Sequence, residues 1–291
     1  MKFFLTLFAK IFLLTLFVLV ILDFSYTAVY LHSTDRGKID YVYNYKARTY
    51  DVVILGSSRA NNHFVSQMFQ DNGLKAFNYG MSGSRLFESD LLLKLMIERH
   101  YKIKNIILEV DLNIASDGIS ESTVPKVLPY IHHSKVVREH LNSIPNFNNF
   151  YYIPFYKYVV YEPQIGFREM VLSLIHKKSA YLGNGGYYAL NNVGQNLSFD
   201  LSNYVPQLSK SYDEIKRICK INNINLIAVM TPMCSNVKGI DYFQKVNKIY
   251  PEIHNYENAV KGDQYFSSCG HMNDTGARLF TSKILKDFFN K

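Results

Sequence analysis

The sequence predicts an α/β protein, a three-layer α/β/α sandwich with a parallel sheet, an N-terminal transmembrane helix and an inserted cap region. Three observations predict this class. An apolar run opens the chain, strand-like and helix-like segments then alternate, and the alternation breaks between about residues 114 and 201 before it resumes. Strands joined by helical crossovers form a parallel sheet that is covered on both faces.

The N-terminal run from Phe3 to Leu22 is apolar except for Thr6, Lys10 and Thr15. At about 1.5 Å per residue it makes about 30 Å of helix, enough to cross the core of a bilayer. Lys10 lies near one end, where its side chain can extend to the interface. Because no small-x-small cleavage site follows, we expect residues 1–23 to be an uncleaved anchor rather than a signal peptide or an apolar core helix.

The charges that flank this run favour one orientation. Lys2 and Lys10 lie on the short N-terminal side, whereas the basic residues on the other side begin only at Arg36. The positive-inside tendency therefore favours a short cytoplasmic N-terminus. We expect a single-pass membrane protein whose body lies outside the cytoplasm.

The composition limits the classes of partner that we expect for this protein. With 48% apolar and 15% aromatic residues, the 291-residue chain has ample material for a core. The net charge of +8 suits nucleic acid, anionic lipid or anionic glycan, but no basic cluster longer than two residues and no nucleic-acid motif is present. Beside the lipid bilayer, we expect an envelope polysaccharide or another acylated substrate as partner and no nucleic acid, although a merely basic solvated surface is the simplest explanation of the charge.

The elements follow in order. Residues 24–50 are rich in Tyr without a clear period and predict a linker packed on the body, which we place at residues 51–291. Strands are expected where short apolar runs end in polar or glycine residues, at 52–55, 75–79, 105–113 and 225–231, with a short strand-like segment at 254–257. Helices are expected where apolar residues recur at helical spacing, at 64–71, 87–101, 205–222, 242–249 and from Asp274 onward.

The stretch 114–201 is rich in Tyr, Phe and Asn and has no regular alternation. A structureless loop of this length is unusual in a compact domain, so we expect a partly helical cap beside the site. Its aromatic side chains suit stacking on sugar rings, but a role as the core of the insert is the simpler explanation.

Four polar signals fall at the ends of predicted strands or in the last loop, namely Ser58, Gly83, Asn113 and His271. Loops at the carboxyl edge of a parallel sheet meet in space. A serine needs a base, and a neutral imidazole suits that role. The backbone N–H groups of Ser58 and Gly83 and the amide of Asn113 would then stabilise an oxyanion. Each also has a structural alternative: a helix cap, a tight turn, a strand-end cap and a backbone-bonded helix start, respectively.

These blocks resemble the SGNH or GDSL-type hydrolases, in the membrane-anchored branch whose first block reads Gly-Ser-Ser-Arg. The matching segments are Gly56-Ser57-Ser58-Arg59, Asn78-Tyr-Gly-Met-Ser-Gly83-Ser and His271-Met-Asn-Asp-Thr-Gly-Ala. The third block is poorer, because Asp111-Leu112-Asn113-Ile114 keeps the Asn and loses its flanking Gly and Asp. The resemblance covers about residues 51–113 and 225–288, and implies a flavodoxin-like sheet, Ser58 as nucleophile and His271 as base.

One further departure from the family pattern matters for the chemistry. The family usually has Asp three residues before its His, and Ser268 stands there in this chain. Three alternatives remain open: Asp263 in the same loop supplies the acid, a serine or backbone carbonyl orients a Ser-His dyad, or the protein is a poor catalyst.

The resemblance implies ester hydrolysis or acyl transfer on acyl groups, with acetyl favoured, of a cell-envelope polysaccharide, without cofactor or metal. His132 and His133 are adjacent, and adjacent residues seldom share an ion. The alternatives are a non-catalytic, anchored glycan-binding or assembly protein with a degenerate triad, and a cytoplasm-facing lipid esterase.

The three cysteines, Cys219, Cys234 and Cys269, do not make a disulfide scaffold. One pair remains possible. Cys234 follows a predicted strand and Cys269 lies just before His271, so these two are the favoured partners.

Overall fold

The computed structural model of the protein describes residues 1–110 and 112–290. Asp111, the first residue of the poorer third block, and Lys291 lie outside the described residues. The strands within them are β1 Thr49–Leu55, β2 Ala76–Asn78, β3 Lys102–Glu109, β4 Phe199–Asp200, β5 Asn225–Met230, β6 Val237–Lys238, β7 His254–Asn255, β8 Phe266–Ser268 and β9 His271–Met272. Five of these strands form a central parallel sheet in the order β2-β1-β3-β5-β7.

Helices fill most of the remaining chain. In order, they are α1 Lys2–His32, α2 Lys38–Asn44, α3 Ser58–His63, α4 Ser66–Asp71, α5 Leu86–Glu98, α6 Val124–Val127, α7 Lys135–Leu141, α8 Phe147–Tyr152, α9 Tyr156–Val160, α10 Glu162–Ile165, α11 Phe167–Leu174, α12 Lys210–Ile221, α13 Tyr242–Ile249 and α14 Asp274–Phe289. A short 3₁₀ turn, Leu112–Ala115, lies just beyond β3.

The central strands are apolar and buried along their carboxyl halves. Val52–Leu55 of β1 and Ile106–Leu108 of β3 are fully buried, and Val53 pairs with Ile106 on one side and with Phe77 of β2 on the other. Continuous burial of successive residues is the pattern of a parallel sheet covered on both faces. The predicted fold class, a mixed α/β protein with a central parallel sheet flanked by helices, is confirmed.

Helix α1 is longer than the apolar run that begins it. By length and composition it is sufficient to cross a membrane, and Phe3, Phe8 and Phe17 are among its exposed side chains. The helix continues past residue 23 to His32, and α2 follows, so much of the segment predicted as a linker is helical. Tyr26 and Tyr30, in the last part of α1, are buried against the rest of the protein.

The stretch 114–201 folds as a series of short helices, α6 to α11, with irregular segments between them. Several of its aromatic rings are interior residues: Tyr130 is fully buried, and Tyr158 and Phe150 are 1% and 4% exposed. Tyr158 packs against Tyr26 and Tyr30 of α1. These rings therefore join the stretch to the end of α1 and are not available to stack on a ligand.

Candidate functional site

Ser58 stands at the first turn of α3, directly after the turn that ends β1. Gly56 has a φ of +138°, and a Cβ there would lie 2.8 Å from both Ala60 Cβ and Glu109 Oε2, so only glycine fits this turn. Ser57 is the helix cap, because its Oγ accepts a hydrogen bond from the Arg59 N–H at 3.2 Å. Because Ser57 supplies the cap, the hydroxyl of Ser58 is not needed for it.

Glu109 stabilises this turn through hydrogen bonds with Ser57. This fully buried residue at the end of β3 accepts hydrogen bonds from both the N–H and the hydroxyl of Ser57, at 2.9 and 2.7 Å. A buried carboxylate is stable only where donors of this kind compensate its desolvation. The strand next to β1 in the sheet therefore fixes the turn that presents Ser58.

Ser58 and His271 are far apart in the sequence but adjacent in the structure. The distance from Ser58 Oγ to His271 Nε2 is 2.8 Å, within hydrogen-bond reach. The other ring nitrogen, Nδ1, lies 3.0 Å from Ser268 Oγ. With Nδ1–H donating to Ser268, Nε2 is free of a proton and can accept that of Ser58. Of the orienting groups predicted from the sequence, the structure brings a serine to the imidazole.

Asp263 lies elsewhere in the same loop. Its Oδ1 accepts a hydrogen bond from the N–H of Ser235 at 2.9 Å, and within the described residues no hydrogen bond joins it to His271. The carboxylate therefore braces the segment after β5 in this structure. A role for Asp263 in orienting the base stays a prediction without a supporting contact.

The hairpin of β8 and β9 carries the base. Ser268 and His271 are paired across it, and a disulfide joins Cys269, between them, to Cys234 beyond β5. The N–H of Cys234 also donates to the carbonyl of Cys269 at 3.0 Å. The pair that the sequence left possible is thus formed, and it fastens the base-bearing hairpin to the edge of the sheet.

Gly83 and Asn113 follow the strands on either side of β1. Gly83 has a φ of +77°, a conformation that favours glycine, and lies in the loop after β2. Asn113, 8% exposed, lies in the 3₁₀ turn after β3. Since β2, β1 and β3 are neighbours, the loops that bear Gly83, Ser58 and Asn113 share one edge of the sheet. Their roles in an oxyanion hole stay predictions.

His63 is a residue that the sequence gave no reason to select. It is fully buried at the end of α3, its Nε2 accepts from the Met272 N–H at 3.0 Å, and its Nδ1 lies 3.0 Å from Thr231 Oγ1. Burial, helped by the charge of Arg59, holds the pKa of His63 well below its usual range. The neutral imidazole therefore links the helix that carries Ser58 to the strand that carries His271.

Arg59 also connects α3 to the residues that follow β5. The side chain is 3% exposed, and its guanidinium donates to the carbonyls of Thr231 and Pro232 at 2.8 and 3.0 Å. These carbonyls lie just past the end of β5. Arg59 thus has a structural role, because it positions the segment that leads to Cys234.

A cavity of about 340 Å³ lies beside the site. Lys38 lines it and is fixed by three hydrogen bonds from its Nζ, to Asn61 Oδ1, Gly80 O and Gly186 O, at 2.6, 2.6 and 2.7 Å. Asp40 also lines it, and burial raises the pKa of that carboxyl to about 6. Neither Ser58 nor His271 is among its described lining residues, so we assign it no part in the chemistry.

The chain has little similarity to known proteins. No protein-family model matches the chain. No curated protein matches it either. A solved structure from Streptococcus pneumonia, provisionally described as a platelet activating factor, aligns with 97% of this chain and 98% of its own at 11% identity and a TM-score of 0.36. At that score the similarity carries no inference about this protein.

Proposed function

We propose that this chain is an SGNH-type serine esterase or O-acyltransferase, anchored in a membrane, that acts on acyl esters of a cell-envelope polysaccharide, with acetyl as the favoured group. One observation carries the chemistry. Ser58 Oγ lies 2.8 Å from His271 Nε2, and His271 Nδ1 lies 3.0 Å from Ser268 Oγ. Covalent acyl transfer requires this arrangement of a nucleophile, a base and a group that orients the base.

The first half of the reaction forms an acyl-enzyme. His271 Nε2 takes the proton as Ser58 Oγ attacks the ester carbonyl, and the carbonyl oxygen becomes an oxyanion. The N–H groups of Ser58 and Gly83 and the amide of Asn113 are the proposed donors to it. The tetrahedral intermediate then expels the alcohol, which receives the proton from His271, and the acyl group stays on Ser58.

The second half decides between the two activities. His271 deprotonates the acceptor, which attacks the acyl-enzyme, and Ser58 leaves with the proton. Water as acceptor gives a carboxylic acid and an esterase, whereas a sugar hydroxyl gives a new ester and an acyltransferase. Ser268 orients the imidazole through a neutral hydroxyl, at the position where the family usually has a carboxylate.

The Cys234–Cys269 disulfide supports an extracytoplasmic domain, because it suits an oxidising compartment. Helix α1, which is long and apolar enough to span a bilayer, would supply the anchor. A reporter that is active only outside the cytoplasm, fused to the C-terminus, should be active. If this reporter is inactive and a C-terminal reporter that works only in the cytoplasm is active, the extracytoplasmic orientation is wrong. That result would favour a lipid esterase that faces the cytoplasm.

The chemistry is tested by hydrolysis of a chromogenic acetyl ester by the full-length protein in detergent. Ser58→Ala and His271→Ala should each lower kcat/KM by at least about 10³-fold, because nucleophile and base act as a unit. Ser202→Ala, an exposed serine, is the matched control and should leave the rate unchanged. Equal rates for the parent protein and Ser58→Ala would contradict the proposal.

The acceptor is tested by adding a neutral oligosaccharide to the same assay. Appearance of acylated sugar that depends on Ser58 indicates the transferase, and release of acetate alone indicates the esterase. If neither product forms while the protein still binds the glycan, the non-catalytic binding role takes the place of both.

A further inference from the structure

A cluster of apolar side chains is exposed where the stretch 114–201 packs on α1. Phe24, Tyr152, Ile153, Val159 and Val160 are 75%, 72%, 45%, 61% and 43% exposed. We name these five residues the interfacial patch. Large apolar side chains grouped in this way mark a surface that contacts something other than water.

Asp23 fixes where this patch lies along α1. It is the first residue after the apolar run, and its Oδ1 accepts from the N–H of Phe155 at 3.0 Å and from Lys157 Nζ at 2.5 Å. Lys157 is 2% exposed and Asp23 is 22% exposed, so the ammonium side of this ion pair is buried. Such a pair tolerates little displacement, because separating it would leave the desolvated Lys157 charge without its partner.

Further contacts make the attachment rigid just beyond Asp23. Thr27 Oγ1 lies 2.8 Å from the hydroxyl of Tyr158, and the Tyr30 hydroxyl donates to the carbonyl of Ile165 at 2.9 Å. The rings of Tyr26 and Phe155 meet edge to face at 4.9 Å. The segment 150–165 is therefore held against α1 over about two turns of helix and does not swing freely.

The depth of the patch follows from the chain geometry. Ile153 is two residues before Phe155 and Val159 is two residues after Lys157, and two residues span at most about 7 Å. The polar layer on each side of a bilayer core is about 5–8 Å thick. If α1 crosses the bilayer up to Leu22, these side chains fall within that layer, where Tyr and aliphatic residues are favourable.

A groove connects this surface to the apolar run. It has a volume of about 510 Å³, and Val20, Phe24, His132, Tyr152 and Lys157 are among its lining residues. Val20 belongs to the part of α1 that would lie in the bilayer core. The groove thus runs from the depth of the acyl chains to that of the headgroups, as a groove occupied by lipid would.

We propose that the interfacial patch inserts into the same bilayer that α1 crosses, with bilayer lipid filling the groove. The domain is then held against the membrane surface instead of hanging from a flexible tether, and its site acts at a fixed height. The inference rests on the proposed membrane anchoring and not on the proposed chemistry.

The absence of Trp from the sequence makes the test direct. Tyr152→Trp gives the full-length protein a single indole in the patch, and Ile153→Trp is a second variant should the first fail to fold. Ile221→Trp is the matched control, since Ile221 is 63% exposed at the end of α12. Each variant is reconstituted into phosphatidylcholine vesicles with and without lipid brominated on the acyl chains, and indole fluorescence is measured.

We expect brominated lipid to quench the indole at position 152 or 153 at least about twofold more strongly than that at 221, with emission shifted to the blue. Equal quenching at the patch and control positions would overturn the inference, even if the ester assay succeeds. Loss of the parent protein from the vesicles in alkaline carbonate would also overturn it, by removing the anchor on which it rests.

Discussion

Ser268 stands where an acid would orient and electrostatically support the imidazole of His271. Its Oγ lies 3.0 Å from Nδ1, so the geometry of a third member is present without its charge. Ser268→Asp should therefore raise kcat for ester hydrolysis, by about tenfold or more, because a carboxylate stabilises the imidazolium formed in the transition state.

Two further variants, Ser268→Ala and Asp263→Asn, are the controls for this prediction. Ser268→Ala should lower kcat, since the ring then loses its hydrogen bond with Ser268, whereas Asp263→Asn should change kcat by less than about twofold. A larger loss in Asp263→Asn than in Ser268→Ala would show that Asp263 moves to His271 during the reaction, contrary to its contact with Ser235 in the structure.

The site residues differ in how far the sequence predicts them. The proximity of Ser58 and His271 was predictable because each lies in a block with several matching neighbours. The contact of Ser268 with the imidazole was only one alternative among three, since serine and aspartate at that position differ in charge but both reach Nδ1. His63 could not be predicted, because its partners Thr231 and Met272 are more than 160 residues away along the chain.

At the scale of elements, the loop after β2 lies unusually close to α3. A Cβ at Gly80 would lie 2.5 Å from the backbone nitrogen of Asn61, where neither backbone can yield easily. Gly80→Ala should destabilise the protein by about 1–3 kcal/mol through overpacking. Gly37→Ala, whose Cβ would meet nothing closer than 3.6 Å, should cost less than about 1 kcal/mol. Thermal unfolding in detergent compares the two, and equal midpoints would refute the steric explanation.

The hairpin of β8 and β9 depends on the disulfide that joins it to the end of β5. Replacing Cys234 and Cys269 together by Ser removes a crosslink across 35 residues and should cost about 2–4 kcal/mol. Ester hydrolysis should also fall, because His271 lies two residues from Cys269. Cys219→Ala is the control for cysteine loss. Unchanged activity and unfolding midpoint in the double variant would show that the hairpin holds its place without the bond.

Regular elements were largely predictable, and their tertiary environment was not. The expected helix 242–249 matches α13, and the strand-like segment at 254–257 contains β7, which is paired with β5. Apolar periodicity carries that information locally. The helical continuation of α1 to His32 was missed, because its Tyr-rich residues lack a period and are ordered by packing on a distant segment.

For the whole molecule, buried histidines link stability to pH. His140 of α7 stacks on Phe87 at 3.9 Å, and burial, with a smaller effect of Lys94, lowers its pKa to about 3. Between that value and about 6.5 the unfolded chain binds a proton that the folded protein does not, so stability falls as the pH falls. From pH 6 to pH 5, His140 should cost about 1 kcal/mol.

This pH dependence is measured by denaturant unfolding of the parent protein and of His140→Phe, which keeps a ring against Phe87. The variant should lose less stability between pH 6 and pH 5 than the parent protein. His63, whose pKa burial also lowers, contributes in the same direction and remains in both proteins. The same slope in the two proteins would contradict the assignment of His140 as a buried neutral imidazole.

The most direct test of the central claim is covalent labelling of the full-length protein with a serine-reactive phosphonate, followed by mass spectrometry of its peptides. If Ser58 is a nucleophile activated by His271, the phosphonyl adduct forms on Ser58 in the parent protein and is lost or strongly reduced in His271→Ala. No adduct on Ser58, or equal labelling in His271→Ala, would contradict the claim.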